Sequence, residues 1–206
     1  MIGVYGGTFN PVHYGHLRTA LEMKQRLRLA QMLMLPCHSP PHRPEPDVPP
    51  AQRVRMLELA LEGTPELSLD RRELERPGPS YMVDTLASLG RERPATSLIL
   101  IIGADAFNGL ETWREWRKLF DHAHVAVMTR PGHKPEALTE FLQARLCGVE
   151  QLAEKPAGGL CMLEVTPLGI SATQIRRLIA AGENPKFLLP DAVINYINQH
   201  QLYRTA

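Results

Sequence analysis

Five short apolar runs punctuate this 206-residue chain: Ile2 to Tyr5, Met32 to Leu35, Leu98 to Ile102, Val125 to Met128 and Leu160 to Val165. Polar residues almost never alternate within them, as expected of strands whose two faces are both covered. Amphipathic stretches separate the runs. His16 to Leu29 carries Leu17, Ala20, Leu21, Lys24 and Leu27 at three- or four-residue steps, with Lys24 the one breach of the stripe. "AQRVRMLELALEG" puts Val54, Leu57 and Leu61 on one face and stops at Gly63; "SYMVDTLASLG" and "DAVINYINQH" have the same texture. Strand then helix, repeated, predicts an α/β fold, a doubly wound parallel sheet with helices on both faces. Such sheets bind ligands at the carboxyl ends of their strands, beside the switch in strand order.

One stretch breaks the rhythm. "LPCHSPPHRPEPDVPP", residues 35 to 50, holds seven prolines and can be neither a helix nor an inner strand. It reads as an extended, semi-rigid loop. A second irregular region, about 131 to 159, is expected to hold one helix near Pro135 to Leu146 and then a Gly-Gly turn. No internal repeat is visible. The net charge of +1 excludes a dedicated nucleic-acid footprint, which needs a clustered basic excess. No stretch approaches the roughly 20 apolar residues of a membrane span. "MIGVYGG" shows no basic segment ahead of an apolar one, so no export signal is expected. The three scattered cysteines suit a reducing compartment, and a cytoplasmic location is the expectation.

The densest chemistry lies in "GGTFNPVHYGHL", residues 6 to 17, where the first strand should end. Gly6 and Gly7 permit a sharp turn and leave room for a ligand to approach the backbone. The amides of Thr8 and Phe9, with the positive end of the following helix, would form a phosphate site. The spacing is neither G-x-G-x-x-G nor a Walker loop. His13 and His16, three apart, share one side of the first helical turn. Two imidazoles there can donate to phosphoryl oxygens, and any positive charge would strengthen with the negative charge of phosphoryl transfer. A metal pair is the competing reading, but neither H-E-x-x-H nor a matching cysteine pair accompanies it.

Near the other end, "GISATQIRRLIAAG" opens with Ser171 and Gln174 in capping-box spacing, so a helix should start there and end near Gly182. Thr173 and Arg176 in its first turns, beside free amides, form a second phosphate cradle with a permanent charge. In "LILIIGADAF", Gly103 and Asp105 follow a strand. A carboxylate there can accept ribose hydroxyls, or it can serve as a helix cap.

These segments carry a resemblance. "GTFNPVHYGH" is similar to the G-x-F-x-P-x-H-x-G-H signature of the nucleotidylyltransferase superfamily, and "ISATQIR" to its late I-S-x-T-x-x-R motif. Members attack a nucleoside triphosphate at its α-phosphorus and release pyrophosphate. "PPHR", "PSYMVDTL", "TWREW", "RPG" and "LLPDAVINYINQHQLY" narrow the likeness to the bacterial nicotinate-mononucleotide adenylyltransferase family, nearly end to end and weakest over 133 to 160. The resemblance implies a single nucleotidylyltransferase domain over 1 to 206, with a helical part from about 170. It also implies ATP and nicotinate mononucleotide as substrates, Mg²⁺ entering with ATP, and no protein metal site. By the same resemblance His13, His16 and Arg176 act on the reacting phosphates, while Gly6, Gly7, Thr8, Phe9, Gly103, Asp105, Ser171 and Thr173 hold ATP. His42, Arg43, Tyr81, Thr85, Trp113 and Arg130 would receive the acceptor.

A pyridine ring needs a flat partner, and Trp113 is the candidate, with a place in the core as the equal alternative; Trp116 is the expected core member. Thr85, read as an early residue of its helix, is a donor for a carboxylate. The signature usually carries Asp where this chain has Asn10, which removes a charge from the turn. Three rivals stay open: a related acceptor such as nicotinamide mononucleotide or pantetheine phosphate, a nucleotide sensor without turnover, and a zinc protein using Cys37, His38 and His42. The last is opposed by the prolines of "CHSPPH".

Overall fold

A computed structural model describes residues 1–38, 46, 48–129 and 138–204. Six parallel strands, β1 (Ile2–Gly7), β2 (Gln31–Pro36), β3 (Leu67–Leu69), β4 (Leu98–Gly103), β5 (His124–Thr129) and β6 (Leu160–Glu164), form one sheet in the order β3-β2-β1-β4-β5-β6. The order reverses between β1 and β4, which makes their carboxyl ends the switch point. Nine α-helices lie among the described residues: α1 (Tyr14–Arg26), α2 (Pro50–Leu61), α3 (Arg72–Glu75), α4 (Met82–Glu92), α5 (Ala104–Asn108), α6 (Leu119–His122), α7 (Glu140–Gln143), α8 (Ala172–Ala180) and α9 (Asp191–Gln199). None is long and apolar enough to cross a membrane.

The all-apolar runs hide a period of two. Met32, Met34, Ile99, Ile101, Ala126, Cys161 and Leu163 point to one face of the sheet, where they join Leu17, Ala20 and Met23 of α1, Met56 and Leu57 of α2, Ile175 of α8 and Val193 of α9. Val4, Leu33, Leu35, Leu98, Leu100, Ile102, Val125 and Val127 point to the other, against Val83, Leu86 and Leu89 of α4 and Phe120 of α6. Each fully buried side chain of this size contributes about 1.5–3 kcal/mol relative to exposure. Both faces are therefore strongly held.

Three details differ from the sequence reading. The stripe of α1 runs through Met23, with Lys24 turned outward enough to stay half-exposed, so the apparent breach disappears. Strand β3 was not foreseen: it has three residues, pairs among the described residues with β2 alone, and is too short to show a period. The helix expected near Pro135 to Leu146 is four residues long, Glu140–Gln143, and the start of that span lies outside the described residues.

Candidate active site

The end of β1 is shaped by close packing. A Cβ on Gly7 would stand 2.9 Å from the Phe9 ring, and one on Gly15 would meet the His13 ring at 2.9 Å and the Ile170 carbonyl at 3.3 Å. Gly15 is thus bare because the loop before α8 crosses directly over the turn. Phe9 takes a positive φ of 45° and is fully buried, so its side chain serves as a floor under His16, with ring centroids 5.1 Å apart. Tyr5 lies 6.4 Å from His16 on another side.

The His13 and His16 rings stack, with centroids 3.7 Å apart and planes 26° from parallel. Burial lowers the His13 pKa to about 4, and burial followed by the neighbouring His13 pushes His16 well below its usual value. Both rings are neutral at pH 7, so they offer hydrogen bonds and no standing charge before a triphosphate binds. Both Nδ1 atoms are buried without a hydrogen-bond partner among the described residues. An orphan N–H is costlier than an orphan acceptor, so each proton belongs on Nε2, leaving two neutral donors. The amide end of α1 is also less free than the sequence suggests, because Tyr14 N–H donates to the Leu188 carbonyl at 3.0 Å.

Helix α8 reaches the same turn. Arg176 Nη1 donates to the Asn10 carbonyl at 2.8 Å, and its Nη2 lies 3.4 Å from Thr173 Oγ1. Ser171 caps the helix by accepting from Gln174 N–H at 3.1 Å. Segments some 160 residues apart therefore share one turn, with Arg176 and the two histidines at the carboxyl end of β1. Asn10 is held from a third direction, its Oδ1 accepting from the Tyr203 hydroxyl at 2.6 Å. Across the switch point, Gly103 caps α5 and a Cβ there would stand in open space. Asp105 is exposed in the first turn of α5, two residues beyond the capping position held by Gly103.

On the other face, α4 brings Met82 to β1, where a Cβ on Gly6 would come within 2.8 Å of Met82 Cε, with Tyr81 just before the helix and Thr85 in its first turn. The Arg114 guanidinium lies 4.6 Å from the Tyr81 ring centroid, which joins the "TWREW" segment to the "PSYM" segment. Trp113 is half-buried against the same apolar cluster. Trp116, expected in the core, is also only half-buried and lies edge-on to Phe141, at 5.0 Å between centroids.

Thr85 departs most from its assigned part. It is fully buried, its hydroxyl donates to Glu73 Oε1 at 2.8 Å, and it accepts from Arg76 Nη2 at 2.9 Å. Its N–H goes to the Tyr81 carbonyl. With both protons taken, Thr85 organises Glu73 and Arg76 instead of offering a donor. Sequence reasoning passed over Glu73, Arg76 and Arg114; for the first two, "ELERPGPSY", placing charges just ahead of a helix, was the available signal. His42, Arg43 and Arg130 lie outside the described residues. Cys37 turns its thiol toward Thr8 Oγ1 at 3.7 Å, and no group of three or more candidate metal ligands exists among the described residues.

Residues 4–178 match the cytidylyltransferase-like family. The chain is 49% identical over 208 residues to a protein of Methylococcus capsulatus named "probable nicotinate-nucleotide adenylyltransferase", covering 98% of this chain and 99% of that one. It is 47% identical over 207 residues to a Pseudomonas aeruginosa protein of the same name, covering 98% and 97%. The Plasmodium falciparum nicotinic acid mononucleotide adenylyltransferase complexed with NaAD superposes with a TM-score of 0.75 at 16% identity, covering 100% of this chain and 98% of that one, a likeness of fold. The signature turn, the late arginine motif and full-length relatives at nearly half identity lead to one conclusion: the chain belongs to the cytidylyltransferase-like family and, within it, to the nicotinate-nucleotide adenylyltransferases.

Proposed function

We propose that this enzyme transfers AMP from ATP to nicotinate mononucleotide, giving deamido-NAD and pyrophosphate in NAD biosynthesis, with the whole chain acting as one catalytic unit in the cytoplasm. The observation that carries the reading is the meeting of Arg176 with the histidine turn through the Asn10 carbonyl at 2.8 Å. One cation and two neutral donors then border a single space that a chain of phosphoryl groups would fill. The full-length relatives supply the acceptor.

The acceptor's 5′-phosphate attacks the α-phosphorus of ATP in line. A phosphate dianion, with a second pKa near ~6, is already nucleophilic at neutral pH, so no side-chain base is required. His13 and His16 donate from Nε2 to phosphoryl oxygens, and a ring pair kept neutral beforehand can gain proton density as the triphosphate arrives. Arg176 stabilises the departing pyrophosphate. Gly6, Gly7 and Thr8 present backbone to the phosphates, Gly103 leaves space for the nucleoside, and Asp105 accepts from its ribose. Mg²⁺ enters on the triphosphate as part of the substrate and neutralises its oxygens. Acceptor recognition falls to Trp113 and Tyr81 for the ring, with Arg76 and Arg114 as the nearby cations, joined by His42, Arg43 and Arg130 from segments outside the described residues.

Purified enzyme with Mg·ATP should release pyrophosphate on addition of nicotinate mononucleotide and form deamido-NAD. A faster reaction with nicotinamide mononucleotide or pantetheine phosphate would replace this acceptor, and ATP binding without any pyrophosphate would remove the transferase reading.

A further inference from the structure

Among the described residues, Arg53 is the largest side chain with no exposure at all. It projects from α2, between neighbours that are apolar, Val54, Met56 and Leu57. Burying a guanidinium costs several kcal/mol, and an apolar residue of similar volume is often the more stable choice. Its contacts are unusual for a buried cation. Nη1 donates to the Thr8 carbonyl at 2.7 Å, and Nη2 donates to the carbonyls of Cys37 and His38 at 2.9 and 3.0 Å. Its Nε is buried without a partner, and no carboxylate pairs with it among the described residues.

These carbonyls belong to two different loops. Thr8 lies in the turn after β1, and Cys37 and His38 begin the proline-rich loop after β2. The strands are neighbours, and Cys37 N–H still donates to the Gly7 carbonyl at 3.0 Å, so Arg53 spans the point where two loops part. A planar fork is suited to this: it fixes the angle between its acceptors as well as their distance. The Asn10 end of the same turn is held by Tyr203 and Arg176.

We propose that Arg53 is a positioning residue that ties the triphosphate turn to the start of the acceptor loop, so that an anion bound at one organises the other. The assignment rests on the adenylyl-transfer reading for the names of the two loops. Its geometry does not depend on that reading. The clamp sets the spacing between the attacking phosphate and the α-phosphorus, and a displacement of about 1 Å there can cost about 10²-fold in rate.

The test uses Arg53→Met and Arg53→Lys in the full chain, with folding checked by circular dichroism. Arg53→Met should lose about 10²-fold in kcat and raise KM for both ATP and nicotinate mononucleotide by about fivefold or more, with Arg53→Lys intermediate. Folded variants whose kcat and both KM values stay within about twofold of the unaltered enzyme, whatever their melting temperature, overturn the proposal. Hydrogen exchange on the unaltered protein decides the matter if neither variant folds. Mg·ATP alone should slow exchange at Thr8 and Phe9 and also at Cys37 and His38; protection confined to the first pair overturns the clamp. Protection of both pairs without pyrophosphate release on nicotinate mononucleotide overturns the acceptor assignment and leaves the clamp standing.

Discussion

The turn after β1 leads into a helix on one face of the sheet, the cluster around Thr85 is built on a helix of the other, and the two handle charge in opposite ways. In the turn, burial keeps His13 and His16 neutral, and the cations that approach, Arg53 and Arg176, are held on backbone carbonyls. In the cluster, charged groups are paired with charged groups: Arg72 bridges Asp70 and Glu92 directly, and Arg76 is linked to Glu73 through the Thr85 hydroxyl. Burial raises the Glu73 carboxyl, with Thr85 and Arg76 opposing that rise. The contrast teaches where each kind of recognition works. Neutral donors in a dry turn are sensitive to charge that develops during reaction. Permanent cations suit an anion that is present before and after it.

The comparison breaks most visibly at His16. Changing it to Ala should lower turnover by about 10²-fold or more while leaving the fold intact, as measured by pyrophosphate release. A folded variant with unchanged turnover would remove the histidine pair from the chemistry and leave the turn as packing alone.

Acid titration tests the neutral state itself. His13 has a pKa of about 4 when folded against about 6.5 unfolded, so between these values the unfolded chain binds more protons. Stability due to this group is fully present above pH 6.5 and falls as the pH drops toward 4. The loss should reach about 3 kcal/mol by pH 4. Urea unfolding of the unaltered protein and of His13→Asn at pH 7 and pH 4 isolates it: the variant should lose less. Equal losses in both would mean that the ring is solvated and protonates freely.

For the cluster, Thr85→Val should cost about 1–3 kcal/mol in the same assay, because Glu73 loses a buried donor and Arg76 an acceptor. Thr85→Ser should restore most of it. If Thr85→Val instead raised the acceptor KM with stability unchanged, the hydroxyl would belong to the substrate, and the two regions would be more alike than the hydrogen bonds indicate. The smallest effect is expected at Asp105. It is exposed at the end of β4, and its change to Asn should raise KM for ATP by about 2- to 10-fold, the worth of one net hydrogen bond. No change in that KM would take the ribose contact away from this carboxylate.

Much of this molecule was readable before any coordinates. Strands two faces deep announce themselves as unbroken apolar runs, which is why β1, β2, β4, β5 and β6 were found and β3, a three-residue edge, was not. Gly-Gly and the two histidines marked the turn because few local structures need bare backbone and imidazole together. The "ISATQIR" segment was visible through its capping serine, and the resemblance supplied its link to the same phosphates.

What tertiary structure decided is the state and partnership of those groups. Periodicity can place His13 on a helical turn, but only tertiary burial of the two stacked rings, with Phe9 and Tyr5 against His16, makes them neutral. Spacing can offer Thr85 as a donor, but Glu73, twelve residues earlier, takes its proton. Nothing in "AQRVRMLELALEG" distinguishes Arg53 from a solvated arginine, because the three carbonyls that receive it come from two other loops. Strand and helix are local consequences of residue pattern, whereas protonation and hydrogen-bond direction depend on neighbours brought close only by the folded chain.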